Sequence, residues 1–309
     1  MAERSRIDDK TGTPTVGHEW DGIEELDTPM PRWWLWTLYA SIVFAIGYVI
    51  AYPAIPMLNS ATKGVLGWSS QGELDRDIAG EQKRRAPIMT ALAATPLDQL
   101  AANPKLLAAA EEGGRSVFKV HCAACHGAGA AGSKGYPNLN DDDWLWGGDM
   151  AAIEQTLIHG IRHPGDVQTR ISQMPAFGRD GILQPAEIDD LVSFVRVRSG
   201  QDQPSAAAAR GGALYTNNCA ACHGEEGRGN RTLGAPNLTD SIWLFGGDRG
   251  SLTTTLINGR GGIMPAWEKQ LDPVTIKMLA AYVHSLGGGE ASPAPTRVAA
   301  APQRVAAKQ

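Results

Sequence analysis

Cys122-Ala123-Ala124-Cys125-His126-Gly127 and Cys219-Ala220-Ala221-Cys222-His223-Gly224 hold all four cysteines of this chain. Thiols three residues apart share one face of a helical turn, so both can bond to the two vinyl groups of a single porphyrin. The histidine that follows supplies an axial nitrogen to the iron, and Cys-x-x-Cys-His is the attachment pattern of c-type haem. Two copies predict two covalently bound haem c groups, one on Cys122, Cys125 and His126, the other on Cys219, Cys222 and His223. Zinc fits poorly. A zinc ribbon spaces its pairs by about 15–20 residues, whereas 93 residues separate Cys125 from Cys219, and the adjacent histidines would have no role. A thioredoxin-like dithiol would need a βαβ pattern, and a disulfide between cysteines three apart is strained.

A low-spin electron-transfer haem needs its second axial position filled. Methionine is the usual partner in cytochromes c and raises the potential relative to a second histidine. Met174 and Met264 are the candidates because the chain is duplicated around them. Pro137-Asn138-Leu139 recurs as Pro236-Asn237-Leu238, Trp144 as Trp243, Gly147-Gly148-Asp149 as Gly246-Gly247-Asp248, and Thr156-Leu157-Ile158 as Thr255-Leu256-Ile257, each 99 residues on. Met174-Pro175-Ala176-Phe177 recurs as Met264-Pro265-Ala266-Trp267 at an offset of 90, so nine extra residues of the first copy lie between Gly160 and Met174. The proline after each Met stiffens its loop. The iron ligands expected are therefore His126, Met174, His223 and Met264, with the choice open between each Met serving its own repeat or the other. Met89, Met150 and Met278 have no repeat partner and read as packing residues. His121, His159, His163 and His284 are unduplicated too, so no distal acid/base group and no catalytic residue is indicated. Trp144, Trp243, Phe177 and Trp267 read as pocket walls.

These groups must be positioned by helices. Ile188, Leu191, Val192 and Val195 after Pro185, and Ile276, Leu279, Val283 and Leu286 after Pro273, recur at helical spacing and predict a closing helix in each repeat. Each repeat also begins with a helix that ends at its cysteines, and a middle helix covers about residues 150–160 and 249–258. No strand alternation is convincing. Ahead of the repeats, Trp33 to Ala51 is 19 residues without a charge, and Tyr52 to Leu58 extends the uncharged run. About 20 apolar residues span a bilayer, and the aromatic residues at both ends suit the headgroup level. A cleaved signal peptide would start nearer residue 1 with a basic segment; here residues 1–31 carry eight acids against three basic residues. The expected architecture is all-α: an acidic tail (1–31), one N-terminal transmembrane helix (32–57), a juxtamembrane linker (58–105), haem domains at 106–200 and 205–289, and a disordered tail (290–309).

Charge says little about orientation, since only Arg32 and Lys63 flank the span. Covalent haem attachment in bacteria is completed outside the inner membrane, which places the haem domains in the periplasm and the N-terminus in the cytoplasm. Residues 111–200 hold twelve acids against eight Lys and Arg, whereas 205–289 hold six against seven. With the run Asp141-Asp142-Asp143, this suggests that a basic donor cytochrome docks on the first haem domain. Nothing resembles a basic nucleic-acid footprint.

The chain closely resembles the membrane-anchored dihaem subunit (FixP/CcoP) of cbb3-type cytochrome c oxidases. The resemblance runs through Asp21-Gly22-Ile23-Glu24-Glu25-Leu26-Asp27-Thr28-Pro29-Met30-Pro31, Trp33-Trp34, Tyr52-Pro53-Ala54 and Thr62-Lys63-Gly64-Val65-Leu66-Gly67-Trp68-Ser69, then both haem repeats. It implies two tandem class I cytochrome c domains on one membrane anchor, in aerobic respiration at low oxygen. Electrons would come from a donor cytochrome c and leave to a monohaem cytochrome subunit and the catalytic haem–copper subunit, where oxygen is reduced. Two other readings are a free-standing membrane-anchored dihaem shuttle or haem subunit of another dehydrogenase, and a dihaem peroxidase. The last needs a five-coordinate iron, against which two His/Met sites argue.

Overall fold

The structure, a computed structural model, describes residues 5–291. The chain divides into two compact units, residues 1–84 and 85–309. In the first, strands β1 (Thr15–Trp20) and β2 (Ile23–Leu26) pair antiparallel, with Trp20 opposite Ile23. This hairpin was not expected from the sequence, although Asp21-Gly22 spells its turn. Both residues take positive φ, 51° and 85°, the backbone of a two-residue hairpin loop. Helix α1 (Arg32–Ala51) follows, with a mean hydropathy of 1.7 and no residue buried inside the protein. Its 20 residues rise about 30 Å, the thickness of a bilayer core. Beyond it the chain folds back: Val65 and Leu66 donate to the Ile50 and Ala51 carbonyls. Tyr52 stacks on Tyr48 at 4.8 Å and meets Trp68 edge-on at 5.9 Å.

Within the segment expected to be a juxtamembrane linker, helix α2 (Ser70–Ala94) runs on with Pro87 inside it. Pro87 gives up one helical hydrogen bond, and the turns beyond it are held by packing. Leu92 is fully buried with Leu100, Leu106, Ala110, Met278 and Ala281, and Lys277 Nζ donates to the Leu92 and Thr95 carbonyls. A 3-10 turn (Leu97–Ala102) leads into α3 (Pro104–His121), capped by the Asn103 side chain. The repeats then supply α4 (Ala123–His126), α5 (Met150–His159), α6 (Pro185–Arg198), α7 (Ala206–Asn218), α8 (Ala220–His223), α9 (Arg249–Asn258) and α10 (Pro273–His284). The matched Gly-Gly-Asp strings are explained by capping: Asp149 accepts from Ala151 and Ala152 N–H, and Asp248 from Ser251 N–H.

Packing crosses the repeat boundary. Helix α3 of the first repeat lies against α10 of the second, while α7 of the second lies against α6 of the first. Two lobes result. One core joins Phe118, Cys122, Ile153 and Leu157 to Ile276, Leu279, Ala280 and Val283. The other joins Phe177, Leu183, Ile188, Leu191, Val192 and Val195 to Tyr215, Leu252 and Leu256. Glycines bring both helix pairs close: a Cβ on Gly114 would stand 2.1 Å from the Met278 carbonyl oxygen, and one on Gly211 equally close to that of Asp190. Of the segment expected to be a disordered tail, Glu290 is held by Gly148 N–H and by its own N–H to the Gly148 carbonyl. Residues 292–309 lie outside the described part of the chain.

Candidate haem sites

Each Cys-x-x-Cys-His motif is one helical turn, α4 or α8, set at the end of α3 or α7. The first cysteine turns inward and the second outward: Cys122 is buried and Cys219 half-buried, while Cys125 and Cys222 are exposed. Burial, then the neighbouring thiol, pushes Cys122 and Cys219 up to about 11, so both are neutral thiols at pH 7. His126 Nδ1 lies 3.1 Å from the Pro137 carbonyl oxygen, and His223 Nδ1 lies 3.0 Å from that of Pro236. The carbonyl can only accept, so Nδ1 carries the proton and Nε2 keeps its lone pair for a metal. Burial lowers both imidazole pKa values, with the carbonyl opposing it, which keeps them neutral ligands. The repeated Pro-Asn-Leu was visible in the sequence; its role in fixing the histidine tautomer was not.

Met174 and Met264 are each carried to the opposite repeat's motif. Met264, with Trp144 and Trp267, packs on the core that contains Cys122; Met174, with Trp243, packs on the core lined by Cys219 and Ala220. Backbone pairing holds this exchange. Ile161 and Met264 each donate an N–H to the other's carbonyl, as do Met174 and Arg260. Gly160 and Gly259, at φ 66° and 68°, end α5 and α9 beneath the crossing strands. A Cβ on Gly160 would stand 2.4 Å from the Met264 carbonyl, and one on Gly259 2.4 Å from that of Met174. Only glycine combines this φ with so close a backbone.

Further matched groups brace the crossing. Arg260 lies over Phe245 at 4.1 Å and donates to Thr255 Oγ1; Arg170 lies over Trp146 at 5.1 Å and donates to Thr156 Oγ1. The unduplicated methionines Met150 and Met278 are buried in packing roles. The acidic run does not form a simple docking patch. Asp142 is exposed, but Asp141 and Asp143 are half-buried, and Arg228 and Arg231 line the same cleft as Asp142, Asp143 and Asp240.

The residues fit haem c. Two inward thiols, two outward thiols, two imidazoles with free Nε2 atoms and two half-buried thioethers are gathered in two lobes. Trp243 Nε1 is the one buried side-chain polar atom without a partner among the described residues, whereas its counterpart Trp144 Nε1 donates to the Gly288 carbonyl. A buried N–H left over in this way is satisfied when a group bearing acceptor oxygens occupies the lobe.

Residues 109–195 and 206–283 match the family described as cytochrome c oxidase, cbb3-type, subunit III. The chain belongs to this family. Residues 12–59 of this subunit III match the N-terminal domain of cytochrome oxidase-cbb3, FixP. It is 53% identical to the cbb3-type cytochrome c oxidase subunit FixP of Bradyrhizobium sp. strain ORS 278, over 94% of this chain and all of the relative. It is 53% identical to subunit CcoP of Cereibacter sphaeroides, over 90% of this chain and 96% of the relative. To FixP of Azorhizobium caulinodans it is 52% identical, over 92% and 96%. The chain is thus a mostly helical, membrane-anchored cytochrome c subunit of a cbb3-type oxidase, with tandem cytochrome c domains beside a small N-terminal hairpin, acting in respiratory electron transfer.

Proposed function

We propose that this subunit carries two covalent haem c groups with exchanged axial ligands: Cys122, Cys125, His126 and Met264 hold one, and Cys219, Cys222, His223 and Met174 the other. The observation that carries this reading is the pair of reciprocal backbone bridges, Ile161 with Met264 and Met174 with Arg260, with each Met packed on the core that holds the other repeat's cysteine motif. Haem c, once bound, supplies a one-electron carrier. The chain's own residues set its properties. The Pro137 and Pro236 carbonyls fix the imidazole tautomer and raise ligand basicity. The thioethers favour the reduced iron and a high potential. Trp144, Trp267, Phe177 and Trp243 exclude water from the two lobes. A histidine and a methionine would hold each haem, leaving none of the described residues placed to activate oxygen, so the chain would relay electrons rather than reduce oxygen. It takes them from a donor cytochrome c and passes them to the monohaem and catalytic subunits. The N-terminal tail is cytoplasmic and both lobes are periplasmic, where haem attachment is completed.

The test uses a variant that retains one haem. Cys122→Ala with Cys125→Ala removes the first attachment, and the intact mass should fall by one haem. In that background Met174→His should lower the potential of the remaining haem and remove its Met–iron absorption band, while Met264→His should change neither. The reverse pattern would establish ligation within each repeat and refute the exchange.

A further inference from the structure

One cluster of ligating side chains takes no part in the haem sites. His159 closes α5, Asp166 lies in the nine-residue insertion, and Glu268 follows Trp267 on the segment that carries Met264. Their donor atoms all lie within 4.8 Å of one another. His159 Nδ1 stands 2.9 Å from Asp166 Oδ2, and both side chains are largely covered, 18% and 15% exposed. Glu268 is exposed at the rim. The loop is built to hold the carboxylate: Gln168 N–H donates to Asp166 Oδ1 at 2.6 Å, and His163 N–H donates to Thr169 Oγ1 at 3.0 Å. Nothing here recurs in the other repeat. Asn258 stands in the place of His159 and Gly178 in the place of Glu268, and the insertion is missing.

We propose that His159, Asp166 and Glu268 form a binding site for a divalent transition cation of the zinc class. A histidine–aspartate hydrogen bond that merely pinned the insertion would need no third donor, yet Glu268 is brought to it from the other repeat. Two carboxylates neutralise a dication. Metal–ligand bonds of about 2.1 Å set neighbouring donors on a tetrahedral ion about 3.4 Å apart. His159 Nδ1 and Asp166 Oδ2 stand 2.9 Å apart across a proton, so an ion would take that proton's place, with the imidazole proton on Nε2 and the pair opening by about 0.5 Å. Glu268 must close by at most about 1.4 Å, which an exposed glutamate does by rotating its side chain. One imidazole nitrogen with two carboxylate oxygens suits zinc, cobalt or nickel, whereas calcium and magnesium take oxygen donors. The fourth position is open to water.

Full-length haem-loaded subunit in detergent, free of affinity tag and stripped with a chelator, is dialysed against zinc chloride, and bound metal is counted by mass spectrometry. One zinc per chain is expected, and equal calcium should not displace it. Glu268→Gln should weaken binding at least tenfold, and His159→Asn with Asp166→Asn should abolish it. His284→Asn, outside the cluster, should leave it unchanged. Zinc should also raise the thermal midpoint of wild type but not of Glu268→Gln. Glu268 is exposed, so its loss does not threaten folding. Absence of saturable zinc binding, or wild-type affinity in Glu268→Gln, would overturn the site.

Discussion

Replacing Gly114 by alanine tests the crossing of repeats at its tightest point. An alanine Cβ would stand 2.1 Å from the Met278 carbonyl oxygen and 2.6 Å from Tyr282 Cβ, both on α10. Ordinary contact is about 3.5 Å, so α3 must withdraw from α10 by roughly 1.4 Å. A radial gap of about 0.5–1 Å already forfeits a quarter to a half of the attraction between packed groups. The withdrawal reaches Phe118 and Cys122 on one side and Leu279, Ala280 and Val283 on the other. The cost belongs at the upper end of overpacking penalties, about 3 kcal/mol. That is a factor of about 150 in the folding equilibrium, or a fall of roughly 6–12 °C in midpoint for a unit of about 200 residues. Gly113 supplies the control. A Cβ there meets Met278 Sδ at 2.5 Å, the movable end of a flexible side chain, so about 1 kcal/mol and 2–4 °C are expected. Thermal unfolding of the haem-loaded full-length chain, followed by far-ultraviolet circular dichroism, reads both. If Gly114→Ala melts with wild type, or costs no more than Gly113→Ala, α3 does not lie against α10 as described.

Two other perturbations follow from the same packing. Lys277→Met leaves the Leu92 and Thr95 carbonyls without their donor, a loss of about 1–3 kcal/mol, and limited proteolysis should then cut residues 85–103 ahead of the haem lobes; unchanged resistance would show that the clamp is idle. Asp143 is pushed up to about 6 by burial first, then by Asp240 and Asp141. Its folded pKa lies above the unfolded value, so ionising it costs stability as pH rises from about 4 to 6, and the cost is constant above that. Asp143→Asn should therefore stabilise the chain at pH 7 by about 1 kcal/mol after allowance for solvent screening, and by nothing at pH 4. An equal effect at both pH values would mean that the carboxylate titrates normally.

The sequence showed the chemistry better than the architecture. Spacing alone marks the cysteines and histidines as candidates, and the repeated Met-Pro-Ala-aromatic string marks Met174 and Met264, because covalent and ligand chemistry demand fixed residue types; the structure gathers these candidates into two lobes. Helix pairing carries no such stamp. The apolar stripes of α6 and α10 are alike, so either could serve α3. One signal could have decided it: only residues 199–205 separate α6 from α7, and so short a connection makes antiparallel neighbours. The hairpin at 15–26 was likewise spelled by Asp21-Gly22 but hidden by its shortness. That α2 continues through Pro87 is not legible either, because packing of Leu92 against α10 is not visible in local sequence. His159, Asp166 and Glu268 have no repeat partners and come together only in the fold, so duplication gives no signal for their cluster.

Chain connectivity also favours the exchange energetically. Pairing within repeats would close α3 on α6 over 63 intervening residues and α7 on α10 over 54; the observed pairing closes α6 on α7 over seven and α3 on α10 over 151. Loop entropy grows only as the logarithm of length, so the longer outer loop costs about 0.8 kcal/mol more, while the short inner one costs about 1.8 kcal/mol less. The net, about 1 kcal/mol, is small beside either core but has the right sign. It is reinforced by the bridges Ile161–Met264 and Met174–Arg260, which form only when the strands cross. Under the proposed ligation neither repeat would complete a site by itself, because each contributes its cysteines and histidine to one lobe and its methionine to the other. For a relay this arrangement has a direct use. The two proposed carriers would be fastened to one another by backbone hydrogen bonds at the crossing, so their separation would follow the packed interface and not a flexible linker between domains.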